Sequence, residues 1–201
     1  MIAIIDYEAG NIHSVQHACK QCGYKSIITQ SPEIIETAKA IIIPGQGAFK
    51  PAMEKMNQLN ILPSLKKAID NNTPILGICL GFQIMFESSD EHGYCKGLNL
   101  FPGKVTKIIS KTKKVPHMGW NECTHSNHPM FNNIKSNSHF YFVHSFHIQE
   151  TNSQYVTATT DYETTFIAAT AKGNLWGTQF HPEKSSDVGL QLLKNFLSLT
   201  V

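Results

Sequence analysis

The chain has 201 residues, 41% of them hydrophobic, and a formal charge of +2 at pH 7. This length is enough for one well-packed domain, so we predict a single domain over residues 1–201. The positive side-chain charge comes entirely from lysine, because the sequence contains no arginine, the side chain best suited to bidentate contacts with phosphate or guanine. The composition therefore argues against a nucleic-acid partner.

The start of the chain does not resemble a secretory signal. Met1 leads directly into an apolar stretch, with no basic segment before it and no small-residue cleavage site. No apolar run is long enough to cross a bilayer. The five cysteines are odd in number and irregularly spaced, which is typical of a reducing compartment rather than of a disulfide framework. We predict a cytoplasmic protein with no membrane partner.

The first half of the sequence alternates strand-like and helix-like segments. Hydrophobic periodicity and capping residues predict, in chain order, a strand at 2–7, a helix at 12–22, a strand at 26–29, a helix at 32–38, a strand at 41–43, helical segments within 51–70 interrupted near Asn57 and Pro63, and a strand at 75–78. Alternation of this kind is typical of a parallel sheet with helices on both faces.

From about Gly97 onwards the pattern changes. Strands are predicted at 104–109, 139–148, 155–160 and 165–170, joined by polar turns, and an amphipathic helix with a serine cap is predicted at 185–199. Because no long helices separate these strands, the segment favours antiparallel pairing. We therefore predict an α/β fold: an open, mostly parallel sheet flanked by helices on both faces, with an antiparallel β-rich section in the second half.

Cys79 is a candidate nucleophile. It follows the predicted strand at 75–78 and lies between Gly77 and Gly81, with a helix-like segment after it. Small residues on both sides permit the sharp strand-to-helix turn that exposes a nucleophile, as in the Gly-x-Ser-x-Gly motif. A free cysteine is often only a buried apolar residue. The paired glycines favour a reactive thiolate instead.

His181 and Glu183 supply the two other groups that a cysteine nucleophile requires. His181 is the predicted base, and Glu183 is the predicted group that orients its imidazole. In an open parallel sheet, ligands bind beyond the carboxyl ends of the strands, where residues 7–11, 44–49 and 79–81 are all expected to lie. We therefore predict one site at this edge of the sheet.

The glycine-rich loop at 44–49 follows a predicted strand. Its backbone N–H groups are suited to stabilise an oxyanion together with the N–H of Leu80. The competing interpretation is a dinucleotide-binding loop, but Lys50 stands where the third glycine of Gly-x-Gly-x-x-Gly is required, and no helix follows closely. The oxyanion interpretation is favoured.

Other groups of potential ligands are not predicted to bind a functional metal. Cys19 and Cys22 lack a second cysteine pair, and His13 and His17 lack the glutamate of a His-Glu-x-x-His motif. The polar segment at 123–129 is typical of an ordinary turn. We predict neither a metal nor a cofactor.

Three segments resemble the class I (triad) glutamine amidotransferases in order and spacing: the loop at 44–49, residues 77–83 and residues 179–183. Two further segments, at 6–11 and 116–121, look like the glutaminase subunits of imidazole glycerol phosphate synthase. The resemblance covers most of the chain and implies a flavodoxin-like fold.

The resemblance implies that glutamine is hydrolysed through a thioester. Cys79 would attack the side-chain amide carbon, His181 would shuttle the proton, and Glu183 would stabilise the imidazolium while ammonia and then glutamate leave. The other implied site residues are oxyanion donors at Gly47 and Leu80, and substrate contacts at Gln83, Glu91, His144, Ser145 and Phe146. The segment around Glu91 is equally typical of a surface turn.

Ammonia released into neutral water is protonated and loses its reactive lone pair, so it must be passed on directly. The resemblance implies a separate (β/α)8-barrel cyclase subunit as heterodimer partner, which forms imidazole glycerol phosphate and AICAR in histidine biosynthesis. Asn11, Trp120 and Lys184 are predicted at that interface, although a turn residue, a core or rim tryptophan and a solvated lysine are equally good interpretations.

Three alternative functions remain open from the sequence. They are a glutaminase that serves another barrel-type synthase, such as a sugar-amidating enzyme, a catalytically silent binding module, and a cysteine peptidase. We also expect the isolated chain to be nearly inactive, because the loop at 45–47 can rotate a peptide plane at little steric cost and so remove an oxyanion donor.

Overall fold

The computed structural model describes residues 1–8 and 12–200. The helices in these ranges are α1 (Ile12–Gln21), α2 (Pro32–Glu36), α3 (Phe49–Gln58), α4 (Ile61–Asp70), α5 (Leu80–Gln83) and α6 (Ser186–Leu197). The strands are β1 (Ile2–Ile5), β2 (Ser26–Thr29), β3 (Ala40–Ile43), β4 (Ile75–Ile78), β5 (Ser88–Ser89), β6 (Cys95–Lys96), β7 (Lys104–Lys107), β8 (His117–His125), β9 (Ser138–His144), β10 (Phe146–Ile148), β11 (Val156–Asp161), β12 (Thr165–Lys172) and β13 (Leu175–Thr178). Among the described residues, no helix is both long and apolar enough to cross a membrane.

The main sheet has the strand order β2-β1-β3-β4-β13-β12-β11-β8-β9. The pairs from β2 to β13 are parallel. The pairs from β13 to β9 are antiparallel. The predicted α/β fold class is therefore confirmed, and the antiparallel section extends the parallel sheet. A smaller sheet has the order β10-β7-β5-β6.

The central strands are buried on both faces of the main sheet. Every residue of β1, β3 and β4 is buried, which explains why these strands read as continuous apolar runs. Ile2 and Ile4 belong to the hydrophobic cluster that includes residues of α1 and α6, whereas Ala3 and Ile5 belong to the cluster that includes residues of α3 and α4. Because successive side chains of β1 point to opposite faces of the sheet, this strand contributes to both hydrophobic clusters.

One predicted helix interruption is wrong. The break between α3 and α4 lies at Leu59 and Asn60, where Asn60 has a φ of 54°. Pro63 lies in the first turn of α4, where the missing N–H of proline removes no helical hydrogen bond. By contrast, the predicted cap of α2 is present, since the Ser31 side chain accepts a hydrogen bond from the N–H of Ile34.

The predicted single strand at 139–148 is also wrong. β9 lies at the edge of the main sheet and β10 belongs to the small sheet, so the chain changes sheets at Ser145. Two strands of the main sheet, β8 and β13, have no counterpart in the sequence prediction. β13 is the more important one for function, because it runs parallel to β4 and ends beside it, with Thr178 opposite Ile78.

Candidate active site

The turn between β4 and α5 presents Cys79 at the carboxyl edge of the sheet. Cys79 has φ 53° and ψ −104°, a conformation that non-glycine residues rarely adopt. The turn is tight because α5 packs directly against the end of β3: a Cβ atom on Gly81 would lie 1.8 Å from the carbonyl oxygen of Ile43. The glycine is therefore required for the approach that creates the turn.

His181 and Glu183 reach the same edge through β13. The register places residue 79 beside residue 179, and the N–H of Cys79 donates to the carbonyl of Thr178 at 2.8 Å. Nδ1 of His181 lies 2.8 Å from Oε1 of Glu183, and the two side chains are only 2% and 4% exposed. Nε2 of His181 is buried without a hydrogen-bond partner among the described residues. This is the arrangement of a base whose second nitrogen is free to take a proton.

The charge balance around His181 favours its protonated form. Burial of the imidazole lowers its pKa, but interactions with Cys79 and Glu183 outweigh that effect and raise the pKa of His181 well above its usual value. Since the charge of Cys79 acts on His181, these two side chains lie near each other, and Glu183 completes the group of three predicted triad residues. The arrangement is suited to a thiolate and imidazolium pair.

Ser185 fixes the backbone that carries His181. Its hydroxyl donates to the carbonyl of His181 at 2.6 Å and accepts from the N–H of Tyr141 at 2.9 Å. The N–H of His181 in turn donates to the carbonyl of Tyr141 at 2.9 Å. The predicted capping role of Ser185 is only positional: it occupies the N-cap position of α6, but its side chain makes no capping hydrogen bond.

A cavity of about 440 Å³ lies beside Cys79. It is lined by Cys79 and by all the residues predicted as oxyanion donors or substrate contacts, which are Gly47, Leu80, Gln83, Glu91, His144, Ser145 and Phe146. Four lining residues without a predicted role are Gln46, Pro116, Tyr141 and Val143. Lys184, a predicted interface residue, also lines the cavity.

Glu91 holds the loop that contains Gly47 at its carboxyl end. Its Oε2 accepts a hydrogen bond of 2.7 Å from the N–H of Phe49, the first residue of α3. Ala48, the N-cap residue, offers no side-chain acceptor, so Glu91 from another segment satisfies a free helix N–H. The carboxylate therefore ties the segment after β5 to the loop that contains Gly47. Because α3 begins at Phe49, the expectation that no helix follows this loop closely is wrong.

Gln83 is committed to protein acceptors through its amide nitrogen. Nε2 of Gln83 donates to the carbonyl of Phe146 at 2.9 Å and to Oε1 of Gln179 at 3.0 Å. A contact with a ligand in the cavity therefore falls to Oε1 of Gln83. Gln179 has no role predicted from the sequence; it is fully buried, and its Nε2 lies 3.7 Å from the sulfur of Cys79. Gln179 follows β13 directly, and the pairing of β13 with β4 brings it beside Cys79. This strand register is the signal that identifies Gln179.

The three predicted interface residues lie in different settings. Asn11 is outside the described residues. Lys184 borders the cavity, whereas Trp120 lies on β8 and is 53% exposed. Trp120 pairs in register with Tyr141, which lines the cavity, and their rings contact at a centroid distance of 6.1 Å. Together with Met118, which is 62% exposed, Trp120 forms an apolar patch beside the cavity.

Within residues 1–8 and 12–200, no cluster of three or more His, Cys, Asp or Glu side chains is arranged to hold a metal ion. All five cysteines are free thiols.

A family model described as glutamine amidotransferase class-I matches residues 3–199. Curated relatives named imidazole glycerol phosphate synthase subunit HisH include one from Moorella thermoacetica, which is 44% identical and aligns over 97% of this chain and 93% of its own length. Another, from Acinetobacter baylyi, is 42% identical over 100% of this chain and 98% of its own.

Solved structures agree on the fold. A structure described as a glutamine amidotransferase matches with a TM-score of 0.78 and 16% identity, covering 100% of this chain and 99% of that one. A chain of PurLQS from Thermotoga maritima matches with a TM-score of 0.73 and 17% identity, covering 98% and 97%.

The chain therefore belongs to the class I glutamine amidotransferases, which are enzymes. The curated relatives also confirm the narrower prediction of a glutaminase subunit of the imidazole glycerol phosphate synthase type.

Proposed function

We propose that this chain hydrolyses glutamine as the glutaminase subunit of an imidazole glycerol phosphate synthase, with Cys79, His181 and Glu183 as its catalytic triad. One observation carries the proposal: Cys79 lies in a strained turn at the cavity, close to the buried His181. Nδ1 of His181 contacts Glu183, and its other ring nitrogen, Nε2, is free of hydrogen bonds among the described residues.

The reaction follows from this geometry in two steps. The thiolate of Cys79 attacks the side-chain amide carbon of glutamine, and the imidazolium of His181 gives a proton to the departing ammonia. Neutral His181 then takes a proton from water, which attacks the thioester and releases glutamate. Glu183 keeps Nδ1 of His181 protonated throughout, so only Nε2 exchanges protons.

The negative oxygen that forms in both steps requires nearby donors. We assign this role to the N–H groups of Gly47 and Leu80, because both residues line the same cavity as Cys79. Gly47 has a φ of 121°, which is accessible to glycine and allows its peptide to rotate without a steric penalty. We therefore propose that a partner sets this peptide and that the isolated chain is nearly inactive.

Substrate binding is assigned to the remaining cavity residues. We assign the amino-acid end of glutamine to Oε1 of Gln83 and to the backbone of His144, Ser145 and Phe146, and we assign a further substrate contact to Glu91; all five residues line the cavity.

The partner that receives ammonia is a (β/α)8-barrel cyclase in this proposal. The exposed apolar patch of Met118 and Trp120 supports a protein partner at the mouth of the cavity, because such patches are uncommon on monomers. Asn11 and Lys184 are assigned to the same interface. We further propose a cytoplasmic location, supported by the free cysteines, and a single domain over 1–201, supported by the pairing of β4 with β13.

The test combines the chain with a cyclase subunit and measures glutamate release and imidazole glycerol phosphate formation. Cys79→Ala should abolish the glutamine-dependent reaction and leave the reaction driven by added ammonia intact. Equal glutamine-dependent turnover by Cys79→Ala would refute the proposed nucleophile, and product formation only with a sugar-amidating synthase would refute the proposed pathway.

A further inference from the structure

Two buried histidines form a hydrogen-bonded pair, and one of them, His144, lines the cavity. His117 on β8 and His144 on β9 face each other in register, and their side chains are among the buried polar groups, at 3% and 6% exposure. Nδ1 of His117 lies 3.0 Å from Nε2 of His144. Neither imidazole touches His181 through a hydrogen bond that would draw it into the triad. His117 and His144 are called the imidazole pair below.

The direction of hydrogen bonding in the pair is fixed from outside by Asn121. Its Oδ1 accepts from the N–H of Glu122 at 2.9 Å, and its Nδ2 donates to the carbonyl of Asp161 at 2.9 Å, so the amide has one orientation. In that orientation the group facing Nε2 of His117, at 3.3 Å, is an N–H donor. Nε2 of His117 must therefore accept, and the proton of this ring must lie on Nδ1.

The same order of donor and acceptor continues through the ring of His144 towards the cavity. Because Nδ1 of His117 donates, Nε2 of His144 accepts, and the proton of His144 lies on Nδ1. That proton is donated to the carbonyl of Phe146 at 2.8 Å. Both rings must be neutral for this chain to exist, and burial lowers the pKa of His144 to about 3 and that of His117 to about 4.

Two glutamines continue the chain from the carbonyl of Phe146 to the nucleophile. Gln83 donates to that carbonyl at 2.9 Å and to Oε1 of Gln179 at 3.0 Å, and Gln179 donates to the sulfur of Cys79 at 3.7 Å. Gln83 and Gln179 are called the amide pair below. Each member of the amide pair has one orientation only. Nε2 of Gln83 faces two acceptors, and because Oε1 of Gln179 is one of them, Nε2 of Gln179 is the donor that faces the sulfur.

We propose that the imidazole pair is a positioning unit for glutamine hydrolysis: it holds the carbonyl of Phe146 where the amide pair needs its acceptor, so that Gln179 presents an N–H to the sulfur of Cys79. This inference rests on the proposed function and adds His117, His144 and Gln179 to the residues that determine it. Neither histidine transfers a proton to substrate.

The direction of the chain matters because the sulfur reacts as an anion. An inverted Gln179 would turn its Oε1 towards the thiolate, and two electron-rich atoms would repel each other. An inverted Gln83 would likewise turn its Oε1 towards the carbonyl of Phe146. A shift of about 1 Å in a reacting group can cost about 10²-fold in rate, so a change at the imidazole pair is expected to reach the chemistry without contact with substrate.

The first experiment reads the tautomers directly. Long-range ¹H–¹⁵N spectra of the full chain at pH 7, assigned with His117→Asn and His144→Asn variants, should show both rings neutral and protonated at Nδ1. A ring protonated at Nε2, or a charged ring, would overturn the proposed direction.

The second experiment measures how fast Cys79 is alkylated by a glutamine-like diazoketone, 6-diazo-5-oxo-norleucine. His144→Leu removes the donor to Phe146 and should lower the second-order inactivation rate by at least about ten-fold, mainly through the maximal rate. His144→Asn keeps a donor at the Nδ1 position and should recover most of the rate that His144→Leu loses. Labelling of the leucine variant at the wild-type rate, or equal loss in both variants, would overturn the proposal.

Controls separate positioning from stability. His147→Leu changes a neighbouring histidine that packs against Phe166 at 5.7 Å, as does His144 at 5.1 Å, and should leave the inactivation rate within about three-fold. A similar rate loss in this control would assign the effect to packing and overturn the proposal. Rates are compared at least 10 °C below each melting temperature, so that about the same fraction of each variant is folded.

Gln179→Met provides an independent variant if His144→Leu does not fold. This substitution keeps about the same side-chain length but removes the N–H that faces the sulfur of Cys79, and it should slow inactivation at least about ten-fold. An unchanged rate in Gln179→Met would overturn the proposal. Failure of the wild type to react at Cys79 even in its complex with a cyclase subunit would instead refute the proposed glutaminase function.

Discussion

Replacement of Glu183 by glutamine tests whether the carboxylate acts through its charge. The substitution keeps the size of the side chain and one oxygen at the position that now lies 2.8 Å from Nδ1 of His181. It removes a negative charge that is almost fully buried. If the new amide turns its N–H towards Nδ1, His181 must carry its proton on Nε2 and cannot accept one from Cys79.

If the amide turns its oxygen towards Nδ1 instead, the tautomer is correct but the imidazolium has lost its counter-charge. Two unit charges about 4 Å apart interact by about 4 kcal/mol at an effective dielectric constant of about 20, which is suitable for a site of this kind. That energy corresponds to about 10³-fold in rate. Both orientations of the amide therefore predict a fall in kcat of about 10² to 10⁴.

The assay is glutamate release by the complex with its cyclase partner under saturating glutamine. Glu122→Gln is the matched control, because Glu122 lies 3.6 Å from His139 in a pair whose side chains are 60% and 56% exposed. Charge removal there should change kcat less than two-fold, since solvent screens such pairs. A Glu183→Gln enzyme with more than a tenth of the wild-type kcat would show that the charge is not used.

Four further outcomes are expected. Gly81→Ala should prevent the wild-type turn, because its Cβ would overlap a carbonyl oxygen of β3, and should lower both the melting temperature and the labelling of the nucleophile by the diazoketone. Ser185→Ala should lower the free energy of unfolding in urea by about 1–3 kcal/mol, since the buried N–H of Tyr141 loses its partner and the carbonyl of His181 keeps only the N–H of Lys184; a change below about 0.5 kcal/mol would contradict this. Trp120→Ala should weaken binding of the cyclase at least about ten-fold by calorimetry while leaving the labelling rate of the free chain unchanged. Below pH 6.5 the two histidines of the imidazole pair become protonated in the unfolded chain, but in the folded chain they stay neutral because both pKa values are lowered. The free energy of unfolding in urea should therefore fall towards pH 4 by about 1.4 kcal/mol per pH unit for each ring. His144→Asn should remove one of the two contributions.

The sequence predicts the parts of this structure that are determined locally. The strand that ends at Cys79 and its flanking glycines are visible because the turn requires small residues at fixed spacing, and Ser31 is visible as a cap because its side chain bonds to a backbone group three residues away. The triad is predicted because its residue types are chemically complementary.

Features that depend on pairing across the sheet are missed. β13 has only four residues, one of them glycine, and its burial comes from β4 and β12 on either side. The change of sheet at Ser145 leaves no mark in the hydrophobic pattern, because β9 and β10 are both strand-like. The contact of Gln179 with Cys79 follows from strand register, which periodicity alone does not determine.

The backbone conformation at Cys79, the proposed nucleophile, lowers the stability of the native state. A non-glycine residue with its dihedral angles stores strain of about 1–3 kcal/mol, which the surrounding packing must overcome. An inactive protein with glycine at this position should therefore unfold at a higher temperature than the enzyme. Selection for glutamine hydrolysis thus keeps the chain below the thermal tolerance that its own fold could reach.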